Sequence, residues 1–143
     1  MARMGNFNIK GLKDFQQKLE KLGQGEVDAF LEDCTKELAA RLLRMVKKDT
    51  PVGIYPKSTG KMGGTLRRGW TVGNIRKEGN NYIVEIVNPV EYASYVEYGH
   101  RTRDHKGWVD GKFMMTISEN KLKEIAPKVL EKKLEKMLGE LLK

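Results

Sequence analysis

Asn88-Pro89-Val90-Glu91-Tyr92-Ala93-Ser94-Tyr95-Val96-Glu97-Tyr98-Gly99 is the stretch that decides the fold. The run before it, Tyr82-Ile83-Val84-Glu85-Ile86-Val87, is strongly β-prone. Asn88-Pro89 stops that run, because proline has no N–H to give a sheet ladder. Tyr82, Val84 and Ile86 then share one face, and Ile83, Glu85 and Val87 the other, wetter one. Past the proline the apolar period lengthens. Tyr92, Tyr95 and Val96 recur at helical spacing, which predicts one or two turns with an aromatic face on the sheet. Gly99 supplies the left-handed residue that closes such a turn. A strand therefore hands over directly to a short helix, and beyond Gly99 the chain becomes polar and basic.

Working upstream, Leu66-Arg67-Arg68-Gly69-Trp70 leads into a strand through Ile75. Residues 76–81 read as a hairpin connection, with Gly79 and the asparagines supplying positive φ. Before this lies a long helix, from about residue 26 to 48. Its stripe is Val27, Phe30, Leu31, Cys34, Leu38, Leu42, Met45 and Val46, expected to face Trp70, Val72, Tyr82, Val84 and Ile86. It is roughly 34 Å long, enough to back a small sheet. Thr50-Pro51 ends it. Leu12, Phe15, Leu19 and Leu22 mark an N-terminal helix closed by Gly23-Gln24-Gly25, and Phe7-Asn8-Ile9 an edge strand before that. Downstream, the chain from about Met114 reads as helix to its end, with Pro127 expected to kink or split it. The fold class is α+β: a small antiparallel sheet packed on a long central helix, with an N-terminal and a C-terminal helix.

The length of 143 residues suits one domain, 1–143, with a modest core. Hydrophobic residues make up 39% and charged residues 32%, so much of the surface is solvated and some elements are expected to find partners in an assembly. The net charge is +8, which permits a polyanion partner, but acids interleave with the bases along the helices. No stretch has membrane-spanning length and none resembles a signal peptide, so a cytosolic protein with no membrane partner is expected.

Chemistry is hard to find. The single cysteine, Cys34, sits on an apolar helix face and reads as a buried structural thiol. His100 and His105 lack a ligand pattern, so no metal and no cofactor are expected. Residues 54–65 are rich in glycine, lysine and threonine, but Lys61 is followed by Met62 and the next expected element is a strand. That excludes a phosphate-binding loop, which needs Lys-Ser/Thr opening a helix. Glu91 and Glu97 bracket the aromatic turn without a cleft nearby and read as solvent-facing. An enzyme is not expected. The two long connections, 54–65 and 101–107, have few apolar anchors and read as mobile segments ordered by a partner.

Two stretches together resemble a tailed-phage family. Thr50-Pro51-Val52, followed after a loop by Thr65-Leu66-Arg67-Arg68, is similar to its first signature. The quoted stretch from Asn88 to Gly99, with Phe113-Met114 as the aromatic-apolar pair that follows, resembles its second. The family is the gene-product-ten tail-component family of HK-type siphophages, of the neck or tail-completion kind. Three departures stand out: a lengthened first loop, Ser94 where proline is common, and no proline-rich run at 103–107. The resemblance implies an α+β fold, no catalysis, and a structural role at the head–tail junction. It further implies a homo-oligomeric ring around the DNA channel, contacts with other neck, tail and connector proteins, and weak non-specific DNA contact at most. Location follows: the host cytoplasm during assembly, then the virion.

Arg67, Arg68, Arg101, Arg103, His105 and Lys106 lie in or beside the two long connections, where packing does not require them. With Tyr95 and Tyr98, expected to anchor the second loop to the sheet, they form the candidate partner-binding set. The alternative reading is a small basic nucleic-acid-binding module, whose affinity would fall steeply with salt.

Overall fold

The computed structural model describes Ala2–Asn8 and residues 23–141. The expected N-terminal helix over Leu12–Leu22 lies outside the described residues. Helix α1 (Gln24–Asp49) carries the expected stripe: Val27, Leu31, Cys34, Leu38, Leu42 and Val46 are buried. Glu26 in its first turn and Lys47 and Lys48 in its last complement the helix dipole. Thr50 is extended, at φ −80° and ψ 127°, as the residue before a proline must be.

The sheet is built around β4 (Asn81–Asn88), and every pairing is antiparallel. β1 (Ala2–Asn8) lies along one edge, a longer strand than the Phe7-Asn8-Ile9 pattern indicates. β2 (Thr71–Val72) and β3 (Arg76–Glu78) share the other edge. Val72 faces Ile86 while Arg76 faces Ile83, so three residues oppose two and the edge carries a bulge. That bulge is why the expected strand through Ile75 is cut short and resumes at Arg76. The hairpin connection is also tighter than 76–81: it is Gly79-Asn80 alone, with φ +61° at Gly79 and none of the asparagines at positive φ. Positive φ at the first residue only is the II′ geometry, which wants glycine there.

Along β4, Tyr82, Val84, Ile86 and Asn88 are buried against α1, and the Ile83, Glu85, Val87 face is half-covered, as the alternation requires. Val72 departs from the expected core. It stands opposite Ile86 but at the sheet edge, where it lines an open groove beside Ala39, Ala40 and Leu43 of α1, and stays 45% exposed.

The first connection is not structureless. It holds a 3-10 turn (Lys57–Thr59), and the residues read as leading into a strand form a helical turn, α2 (Thr65–Gly69). The loop does therefore open a helix, but one of only five residues, and Lys61-Met62 still lacks the phosphate-loop chemistry. Helix α3 (Ala93–Tyr98) follows the β4 exit. The second polar loop is a β-hairpin, β5 (Gly99–Arg101) paired with β6 (Trp108–Asp110). Two strands of three residues are too short to leave a periodic signal.

Helix α4 (Met114–Leu141) lies antiparallel to α1. Asp49, at the C-terminal end of α1, meets Lys121 at 2.9 Å and Ser118 at 3.1 Å. Asp33, near its start, meets Lys133 at 2.6 Å. Pro127 does not split α4. Leu122, Ala126 and Leu130 are buried and hold both halves, while Pro127 and Lys123, whose carbonyl loses its partner, face solvent.

Candidate interaction surface

The stretches at 50–52, 65–68 and 88–90 abut in one buried polar joint. Asn88 Nδ2 donates to the Leu66 carbonyl at 2.8 Å, and its Oδ1 accepts the Val90 amide at 3.1 Å. The Thr50 hydroxyl donates to the Val46 carbonyl and accepts Trp70 Nε1–H at 2.8 Å. Arg67 Nη2 donates to the Thr50 carbonyl at 2.8 Å. Gly69 has no freedom to change: a Cβ there would stand 2.4 Å from Asn88 Oδ1. Asn88 is wholly buried, so Asn88→Ala leaves a carbonyl and an amide unpaired. It is expected to lower stability by about 2 kcal/mol. An unshifted urea midpoint in that variant would refute the assignment.

The Asn88–Gly99 stretch has two sides. Its inner side buries Ala93 and Glu97, not the tyrosines. Glu97, read from sequence as solvent-facing, has no exposed surface. Its carboxylate accepts the Met115 amide at 2.9 Å, the Thr116 amide at 2.9 Å and the Thr116 hydroxyl at 2.8 Å. It thus caps the N-terminus of α4 from a distant part of the chain. Gly99 ends α3 at positive φ, +90°, but with ψ 173° it is extended and not in the expected left-handed helical conformation, and a Cβ there would strike the Val109 carbonyl at 2.6 Å.

The outer side is apolar. Tyr95, Tyr98 and Trp108 are each more than half exposed, and Phe113 and Ile117 nearly half. This corrects the expectation that Tyr95 and Tyr98 anchor the loop to the sheet. Tyr95 instead meets the His100 ring, with centroids 5.9 Å apart. Phe113 is held at φ +48° while its amide donates to the Glu97 carbonyl at 3.1 Å, a strained placement of an exposed aromatic ring.

Beside this face stands the tip of the β5–β6 hairpin, an ordered loop. The Thr102 amide donates to the Gly107 carbonyl at 3.0 Å, and the Gly107 amide returns to Thr102 Oγ1 at 3.0 Å. Asp104 accepts the Thr102 hydroxyl at 2.5 Å and the Lys106 amide at 3.1 Å. Those bonds hold its carboxyl below the usual range, the Thr102 hydroxyl most of all. Arg101, Arg103, His105 and Lys106 project around this tip without an ion pair among the described residues.

The structure does not gather the whole predicted set. Arg101, Arg103, His105 and Lys106 share the hairpin tip next to Tyr95 and Tyr98. Arg67 belongs to the buried joint, and Arg68 donates to the Gly63 carbonyl at 3.1 Å in the first loop. Sequence reasoning missed Trp108 as a surface residue, and Ile54 and Met62 in the first loop. Large apolar side chains inside polar connections were the available signal.

Burial pushes the Cys34 thiol up to about 12, which keeps it protonated. Among the described residues no group of three His, Cys, Asp or Glu side chains could hold a metal ion, and no helix is long and apolar enough to cross a membrane.

Against known proteins, the sequence model of a family described as "Bacteriophage HK97-gp10, putative tail-component" matches residues 13–99, more than half of the chain. The match takes in both signature stretches and ends at Gly99. No curated protein and no solved structure matches.

Proposed function

We propose, from the premise that this chain belongs to the bacteriophage HK97-gp10 tail-component family, that it is a structural protein of the head–tail junction. In this reading it works by contact, not catalysis. Copies form a ring around the DNA channel and bind other neck, tail and connector proteins, first in the host cytoplasm and then in the virion. The observation that carries the reading is the outer face of α3. Four large aromatic side chains, Tyr95, Tyr98, Trp108 and Phe113, stand exposed on ordered elements beside a ring of unpaired cations. Exposed tyrosine and tryptophan flanked by arginine is the composition of protein interfaces. The inner side of the same helix is fully engaged in holding α4, so the core gains nothing from the outer one.

One observation favours weak DNA contact as well. From Thr50 to Lys77 there is no acidic residue, and although Arg67 lies in the buried joint and Arg76 and Lys77 pair with Glu78 and Asp28, Lys57, Lys61 and Arg68 leave the first loop basic. Attraction of this kind ignores base sequence and fades as salt rises.

The test replaces Arg101 and Arg103 together with alanine in a phage that depends on this gene. Both side chains are exposed, so the melting temperature is expected to stay within error. Particle yield is expected to collapse, with separate heads and tails accumulating. Normal yield with normal joining would sink the reading. Duplex binding that survives physiological salt and parallels the yield defect would favour the nucleic-acid module instead.

A further inference from the structure

We propose that residues 51–64 form a preshaped hook that seats in the groove between α1 and α4 of a second copy of this chain. The proposal rests on the ring reading above and names the contact that would build the ring.

The hook is held by its own bonds. Its two legs touch at Gly53 and Gly63, where a Cβ on Gly63 would stand 1.8 Å from the Gly53 carbonyl oxygen. Only glycine permits that approach. At the tip the Thr59 amide donates to the Pro56 carbonyl at 3.0 Å, and Gly60 turns the chain at φ +67°. Lys61 Nζ lies 5.8 Å from the Tyr55 ring centroid, and Arg68 secures the Gly63 carbonyl. Yet this fixed loop points its greasiest side chains outward: Ile54 is 97% exposed and Met62 78%. Ordered apolar side chains held out in water on both legs are favoured only when something covers them. Its charges, Lys57 and Lys61, are both positive.

The groove is the complement. It lies between the start of α1 and the end of α4 and has a volume of about 490 Å³. Ala29, Phe30 and Met137 line it with apolar surface, and Glu26, Asp33 and Glu140 stand on its rim. Lys133 is tied to Asp33, leaving Lys136 alone against Glu26 and Glu140, so the rim leans acidic towards a basic hook.

Position selects a second copy as the occupant. The hook leaves α1 after Asp49, while the groove borders the other end of the helix at Glu26 to Asp33, which is about 24–35 Å away along the helix axis. Within one chain the hook is held beside α2 and α3, with Met62 lining the same pocket as Leu66 and Tyr92, and so lies away from its own groove. Complementary patches at opposite poles make a head-to-tail contact, which repeats from copy to copy and closes into a ring when the rotation closes.

The test pairs Met62→Cys in one population with Ala29→Cys in another, under mild oxidation. Cys34 is buried and protonated, so it stays silent. Both the concentrated protein at millimolar level and assembled particles are examined. A disulfide joining the two populations is expected, with none between Met62→Cys and Thr71→Cys on the sheet edge. Ile54→Asp, at a site fully in solvent, is expected to leave melting unchanged and abolish both oligomer and cross-link. Oligomers that form without this cross-link and tolerate Ile54→Asp overturn the hook and leave the ring standing. Hook cross-links to another particle protein overturn the self-contact in favour of a foreign groove. A single copy per particle removes the ring reading, and the hook with it.

Discussion

Leu38→Ala is expected to lower the unfolding free energy by about 2–5 kcal/mol. Leu38 has no exposed surface and sits midway along α1, with Cys34 and Leu42 one turn to either side. α1 packs on both β4 and α4, so a hole at its centre cannot collapse from one side without opening the other. That places the variant towards the upper part of the range. The measurement is a urea titration. The midpoint should fall with the slope unchanged, because the same surface is exposed on unfolding. Leu43→Ala is the control: Leu43 is only partly buried, against a groove beside the β2 edge, and should cost clearly less. If Leu38→Ala kept the wild-type midpoint, the helix would be facing the sheet with another stripe.

This element was legible because one physical signal dominates it. An unbroken apolar stripe over 26 residues, with charges arranged along the dipole, has one stable orientation, and β4 likewise announces its faces by strict alternation. Where reading failed, two signals competed or none existed. Arg67-Arg68-Gly69 has no apolar period, and its helical turn exists because Asn88 and Thr50 bind it from outside. The bulge after Val72 changes register without changing composition. In the Asn88–Gly99 stretch the helical period was right and the inward face wrong. Tyr92, Tyr95 and Val96 look like the buried set, but only Val96 packs partly on the core, the tyrosines are exposed, and Ala93 and Glu97 lie inside. A carboxylate was the least expected core residue, and its reason, the open end of α4, lies eighteen residues further along the chain. The partner-binding set was half legible for the same cause. Cations at the hairpin tip could be found by composition, whereas Arg67 proves to be held by Thr50, a contact no local pattern encodes.

Glu97→Ala is the other change expected to have a large effect, about 1–5 kcal/mol. Every helix begins with amides that lack partners inside it. In α4 two of them, those of Met115 and Thr116, point at Glu97, and the Met115 side of the site is closed to water. Removing the carboxylate leaves a buried donor unpaired, which costs about 1–3 kcal/mol. It also removes a negative charge from the positive end of a 28-residue helix, worth up to about 2 kcal/mol in a partly buried geometry. Glu97→Gln keeps one acceptor oxygen but turns its amide group towards other donors, and is expected to fall between the variant and the wild type. Glu91→Ala, on the exposed side of the same stretch, should lie within about 0.5 kcal/mol of wild type. Amide exchange separates this account from a generic loss of packing: protection at Met115 and Thr116 should fall first, while that of the α1 core persists. The consequence reaches the interaction face. α3 and the β5–β6 hairpin are tied to α4 through Glu97 and the neighbouring bonds from Lys112 to Val96 and from Phe113 to Glu97. Loosening that tie should let Tyr95, Tyr98 and Trp108 move apart, so under the proposed role Glu97→Ala is expected to impair head–tail joining even at temperatures where the chain stays folded. A Glu97→Ala chain of wild-type stability and wild-type exchange at Met115 would show that α4 is capped by other means.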